Sequence, residues 1–196
     1  MIYETLEIIK DQVTNYLEAK LSESSLVVID NIAKLEDPEA TALIDKIVLS
    51  LLNLEEEVAL KNVPNIKFKN GEHVYENNPI SLNLYILFSG NRNLYTKSIT
   101  ALSAIIEFFQ SKHLFHQHNT ILNPTISALD PIKEFKFTVE LYTPTFEQLN
   151  FIWGTLGGKS LPSLMYKISL VRIDSSVIHE KGTPIHEISG EVKPMN

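Results

Sequence analysis

The chain has 196 residues, 44% of them hydrophobic and 21% charged, with a formal net charge of -7 at pH 7 and no cysteine. That composition fits one globular domain with a sizeable core and excludes a wholly disordered chain. The acidic balance excludes a general nucleic-acid binder, which needs clustered Lys and Arg against phosphates, and disfavours docking on anionic lipid.

Residues 2–21 predict an amphipathic helix. Ile2, Leu6, Ile9, Val13, Tyr16, Leu17 and Leu21 recur at spacings of three and four, with Glu7, Lys10, Asp11, Asn15 and Glu18 between them. After the polar break Ser22–Ser25, Leu26-Val27-Val28-Ile29 reads as a short strand, and residues 34–45 read as a loop around Asp37-Pro38-Glu39. Lys46–Leu54 reads as a strand with apolar residues on both parities, so both of its faces are expected to be covered. Ile66-Lys67-Phe68-Lys69, the turn Asn70-Gly71 and His73-Val74-Tyr75 predict a projecting hairpin.

Ile80–Ser89 is a third strand, with Leu82, Leu84, Ile86 and Phe88 on one face. Residues 94–112 predict a helix whose stripe, Tyr95, Ile99, Leu102, Ile106 and Phe109, is widened by Ala101, Ile105 and Phe108. Residues 113–134 read as a loop, and Phe135–Tyr142 as an alternating strand. The next helix has two candidate starts, Thr143-Pro144 and a capping box of Thr145 with Gln148, and ends at Gly157-Gly158. Leu164–Ile173 is the last strong strand. The expected fold is α/β (α+β), a single mixed sheet flanked by helices in two layers. Leu82, Leu84, Ile86, Phe88, Phe137, Val139, Leu141, Ile168 and Leu170 are its expected core. The expected division is a domain over 1–173 and a C-terminal arm over 174–196.

Motifs of known chemistry are missing: there is no nucleophile elbow, phosphate-binding loop or His-Glu-x-x-His. Gly154-x-x-Gly157-Gly158-Lys159-Ser160 has the wrong spacing for a phosphate loop and follows a helix, which makes it a helix end. His113, His116 and His118 are the nearest thing to a metal cluster, but with no Cys and with Asp130 as the nearest downstream carboxylate they read as loop residues, and no metal or cofactor is expected. Glu55-Glu56-Glu57 reads as a solvated strand edge and Trp153 as core. The start of the chain lacks the basic and apolar segments of a signal peptide, and the most apolar window, Ile99–Phe109, is broken by Thr100, Ser103 and Glu107, so no membrane span is expected. Lys61, Lys67 and Lys69 on the hairpin segment are candidate partner contacts, and so are Val177, Ile178, Ile185 and Ile188 on the arm. The arm either adds strands to a neighbouring subunit or folds back on its own domain as an edge hairpin.

Several stretches together resemble a known family. They are Met1–Lys10, Lys46–Glu57, Pro79–Ser89, Leu102–Gln110, and Thr145-Phe146-Glu147-Gln148-Leu149-Asn150 running through Trp153-Gly154-Thr155-Leu156-Gly157-Gly158-Lys159 to Leu161-Pro162-Ser163. In this order they are similar to the N-terminal domain of the cap, or tail-terminator, proteins of extracellular contractile injection systems such as antifeeding prophage and Photorhabdus virulence cassettes. The resemblance covers residues 1–173 and rests on collinearity. It implies a tail-terminator-like fold and a structural homohexameric ring that closes the inner tube and sheath distal to the baseplate and anchors the sheath. The implied partners are the inner-tube protein, the sheath protein and a second cap paralogue, with no nucleic acid and no membrane. Assembly would take place in the bacterial cytoplasm, with the particle then released, and no enzymatic activity is implied. Two alternatives stay open: a metal-dependent enzyme using the loop of His113, His116 and His118, and an adaptor for cargo or membrane docking.

Overall fold

The computed structural model describes residues 1–37, 40–58, 66–69, 72–76, 79–130, 132, 134–173 and 178–182; over 66–69, 72–76 and 178–182 it describes the backbone alone. The elements are α1 (Ile2–Leu21), β1 (Val27–Ile29), β2 (Lys46–Glu56), β3 (Ile66–Lys69), β4 (Glu72–Glu76), β5 (Ile80–Asn91), α2 (Tyr95–Ser111), β6 (Leu114–His116), β7 (Lys136–Tyr142), α3 (Phe146–Thr155), β8 (Ser163–Ile173) and β9 (Ile178–Gly182). Six strands form the main sheet in the order β1-β2-β5-β8-β7-β6. Only β1 and β2 run parallel; every other neighbouring pair is antiparallel, so the sheet is mixed as expected.

Strand alternation divides the apolar residues between two cores. Ile47, Leu49, Leu84, Ile86, Phe88, Phe137, Val139, Tyr166 and Ile168 meet α1 and α2 on one face. Val48, Leu87 and Met165 meet Trp153 of α3 together with Ile32 and Leu43 on the other. Helices therefore cover both faces, and the two layers expected become three. The apolar residues on both parities of Lys46–Leu54 already point to this, because a strand buried on both sides reads as one apolar run. The larger core is a mesh of rings: Phe109 lies 4.5 Å from Tyr166, Phe108 5.0 Å from Phe109, and Phe115 stacks on Phe137 at 5.2 Å. Each such ring fully buried contributes about 1.5–3 kcal/mol of transfer free energy.

The helices end as the sequence directs. Thr145, not Thr143, caps α3. Its hydroxyl accepts from the Gln148 amide at 3.2 Å, and the Thr145 amide donates to Gln148 Oε1 at 3.0 Å. At the far end Gly157 (φ 103°) and Gly158 (φ 80°) turn left-handed, and the Gly158 amide reaches back to the Trp153 carbonyl at 2.7 Å. Gly90 admits a close approach: a Cβ there would stand 2.9 Å from Ser98 Cβ, where α2 packs on β5.

Three differences from the expected pattern have physical causes. Leu141, expected in the core, is 53% exposed, because β6 pairs with β7 only from Lys136 to Thr138 and leaves the end of β7 uncovered. Of the stripe expected on α2, Tyr95, Ile99 and Ile106 are exposed; the buried side is Ser98, Ala101, Leu102, Ala104, Ile105, Phe108 and Phe109. Strand β6 falls in the segment read as a loop: three residues are too few to show alternation, and β7 creates the strand by pairing. Leu82 is partly buried, and the side chain of Leu170 lies outside the described residues.

A second, three-stranded sheet has the order β3-β4-β9. The expected hairpin is its β3-β4 pair. Strand β9 comes from the C-terminal arm and pairs antiparallel with β4 of the same chain, His73 opposite Gly182 and Val74 opposite Lys181. Over 178–182 the arm thus folds back within its own chain.

Candidate functional site

A groove lies on the α3 side of the main sheet. Strand β1 covers β2 only over Ile47–Leu49. The cause is local. Ser50 Oγ donates to the Asp30 carbonyl at 2.6 Å and accepts from the Ile32 amide at 3.1 Å, so the chain after β1 turns off the sheet there. Among the described residues no strand pairs with the outer side of Leu51–Glu55.

The main-chain direction at this edge follows from alternation. The Ile47 amide points to β1, bonded to the Leu26 carbonyl at 2.9 Å. A bulge between Leu51 and Asn53 shifts the register. The Glu57 amide then points inward, to the Ser81 carbonyl at 2.8 Å. The main-chain groups of Leu54 consequently face outward. The groove, of about 920 Å³, runs along this edge, lined by Leu51, Leu52, Tyr85, Tyr142, Phe151 and Ile152 among others. Its rim is acidic at Asp30 and Glu55. Tyr85 packs edge-on against Tyr142 at 5.3 Å and donates to Glu55 Oε2 at 2.8 Å. That hydrogen bond, with burial, pushes the Tyr85 phenol up to about 12. Beside the groove α3 exposes Phe146 (92%) and Phe151 (65%), large apolar surfaces of the kind that mark contact sites.

The histidines serve a turn. His116 Nδ1 accepts from the His118 amide at 3.1 Å, and the His116 amide donates to Asn119 Oδ1 at 2.9 Å. The His113 carbonyl accepts from the Val139 amide at 2.8 Å. The His116 and His118 rings are 5.8 Å apart. Among the described residues no three His, Cys, Asp or Glu form a group that could hold a metal ion. Glu55 sits at the strand edge as read from the sequence, and Trp153 is in the core.

Sequence reasoning missed one charged centre. The Arg92 side chain is almost wholly buried and pairs with Glu23, and with Asp45 Oδ1 at 2.8 Å. Lys97 joins Glu23 at 3.1 Å, and the Asn93 amide donates to Asp45 Oδ1 at 3.1 Å. The Arg92 hydrogen bond, ahead of that of Lys97, holds the Glu23 carboxyl below its usual range; at Asp45 the Asn93 amide leads and Arg92 follows. The pairs span 47 and 69 residues, so no local motif could have shown them. This cluster joins the loop after α1, the start of β2 and the β5–α2 junction, a structural role.

Of the candidate contacts, Lys61, Val177, Ile185 and Ile188 lie outside the described residues; Lys67 and Lys69 are on β3 and Ile178 is on β9, described in backbone only.

The architecture defines the class. Solved chains that share the fold at a TM-score above one half include the following two. One is the sheath/tube terminator of an extracellular contractile injection system, PVC, in its extended state: TM-score 0.65, 12% identity, over 100% of this chain and 64% of that one. The other is the tube-terminating cap of the anti-feeding prophage: TM-score 0.57, 16% identity, over 94% of this chain and 60% of that one. At these identities the likeness is one of fold, and this chain spans under two thirds of either. The sequence matches the Pvc16 N-terminal domain over residues 4–187, and the chain belongs to that family. No curated protein matches it.

Proposed function

We propose that the chain is a structural cap subunit of a contractile injection system. It ends the inner tube and sheath distal to the baseplate, anchors the sheath, and assembles as a closed ring of six copies. The observation that carries this is the family match over residues 4–187, joined to a fold shared with two solved terminators. The surface described above is of the right kind, a groove and exposed aromatics being contact features. A ring that closes needs two different patches per subunit, because head-to-tail contacts are heterologous. The inner-tube and sheath proteins are the partners, with a second cap paralogue sharing the end. Assembly occurs in the bacterial cytoplasm, and the particle works outside the cell. On this proposal the chain carries no catalytic activity, residues 1–173 form the terminator domain and 174–196 the arm. No helix among the described residues is long and apolar enough to cross a membrane.

The test is deletion of the chain in a strain that makes the particle. Tubes and sheaths of uncontrolled length, corrected by the chain in trans, are expected. Particles of unchanged length that still contract as intact units would overturn the proposal.

A further inference from the structure

We propose that the outward face of α2 packs antiparallel against the same face of a second copy, so that free chains are held as two-fold pairs. The inference goes beyond the ring proposed above. A two-fold contact closes on itself and adds no third subunit, whereas a ring needs head-to-tail contacts.

Four observations carry it. The first is exposure. Helix α2 packs on β5 and α1 and buries Ala101, Ile105, Phe108 and Phe109 there. Its other side is apolar as well: Tyr95 is 69% exposed, Ile99 42% and Ile106 41%, with Ser103 and Gln110 exposed beside them. The second is spacing. Ile99, Ser103, Ile106 and Gln110 recur at steps of four, three and four, the pattern of a seam that runs along another helix. The third is that the seam makes no demand on solvent. Thr100 Oγ1 donates to the Thr96 carbonyl and Ser103 Oγ to the Ile99 carbonyl, each at 2.9 Å. These hydroxyls are satisfied within the helix, so covering them strands no polar group. The fourth is charge, and it selects the occupant. The charged residues of α2 are Lys97 and Glu107. Lys97 pairs with Glu23 at 3.1 Å, and Glu107 pairs with Lys20 of α1. Reversing the helix direction brings Ile99 onto Ile106 and Tyr95 onto Gln110, with the small Ser103 at the centre, where it lets the axes approach. The same reversal sets the Lys97–Glu23 pair of one copy level with the Glu107–Lys20 pair of the other, twice over. A parallel partner would set each lysine and each glutamate level with its own copy. Opposite charges flanking a helix seam fix its partner and direction. The seam is therefore complementary to itself, reversed.

The test uses the whole chain in solution, away from particles. Analytical ultracentrifugation reads self-pairing, and native mass spectrometry reads mixtures of differently tagged chains. Wild type is expected to show a monomer–dimer equilibrium at concentrations below those that form rings. Ile106→Asp should abolish the dimer and leave the melting temperature close to that of wild type, because this side chain is exposed in the single chain. Glu107→Lys and Lys97→Glu, each alone, should weaken self-pairing about tenfold, because each turns both symmetric charge contacts repulsive. Mixed in equal amounts, the two variants should form a heterodimer as tight as the wild-type pair, since both contacts are then attractive. That rescue separates a lost contact from a lost fold. A wild-type chain that stays monomeric until rings form overturns the pair and leaves the ring standing. Variants that self-pair as well as wild type, or a mixture that forms no heterodimer, overturn the antiparallel contact.

Discussion

The two faces of the main sheet are built to different standards. On the α1/α2 face the apolar residues of all six strands of the main sheet join two helices in one continuous core with an interlocked aromatic centre. On the α3 face a smaller core is fixed by Trp153, Met165, Leu87 and Val48, and beside it lie the groove and the exposed rings of Phe146 and Phe151. One face holds the fold and the other leaves large apolar side chains in solvent. The contrast teaches that a helix of similar hydrophobicity can do either job: α2 buries Phe108 and Phe109, while α3 leaves two of its phenylalanines in solvent.

Substitutions that break this contrast should rank accordingly. Phe137→Ala, in the ring stack with Phe115, should cost about 3–5 kcal/mol in urea unfolding. A loss under about 1 kcal/mol would show that the large core is not the main support. Arg92→Met should cost about 1–2 kcal/mol at neutral pH, because it removes part-buried charge-assisted hydrogen bonds to Glu23 and Asp45. The pH dependence has a definite sign. Glu23 and Asp45 have lowered folded pKa values, so their contribution is present above the ordinary carboxylate range and is lost as pH falls through those lowered values. The gap between wild type and Arg92→Met should therefore narrow in acid; a gap that widens contradicts the assignment. Gly90→Ala should cost about 1–3 kcal/mol, since the new methyl meets Ser98 and α2 must shift. Phe151→Ser should change stability by less than about 0.5 kcal/mol and yet weaken assembly, which sharpens the contrast from the other side.

Much of this organisation was legible in the residues, and the failures have a common cause. Helix α1 follows from its spacings, and the α3 cap from Thr145 and Gln148, because both are set within a turn or two of chain. The alternation in β5 and β7 gave the core face correctly down to Val139 and failed at Leu141, where exposure depends on how far a separate strand extends. The same holds for the candidate surface. Nothing in Leu51–Glu55 announces that β1 stops short of it; that arises because Ser50 captures Asp30 and Ile32 and ends the β1 pairing early. The Arg92 cluster and the return of β9 to β4 are likewise long-range. Local periodicity reports which residues are apolar and which share a face, but the end of a neighbour is a tertiary fact.

The central claim is that this chain closes the end of a tube and sheath as a ring. Electron cryo-microscopy of intact extended particles, focused on the end distal to the baseplate, tests it most directly. The account predicts a terminal ring of six copies, each fitting this fold, in contact with the last tube and sheath layers. A terminal layer lacking the chain, or holding it in another copy number, would contradict it.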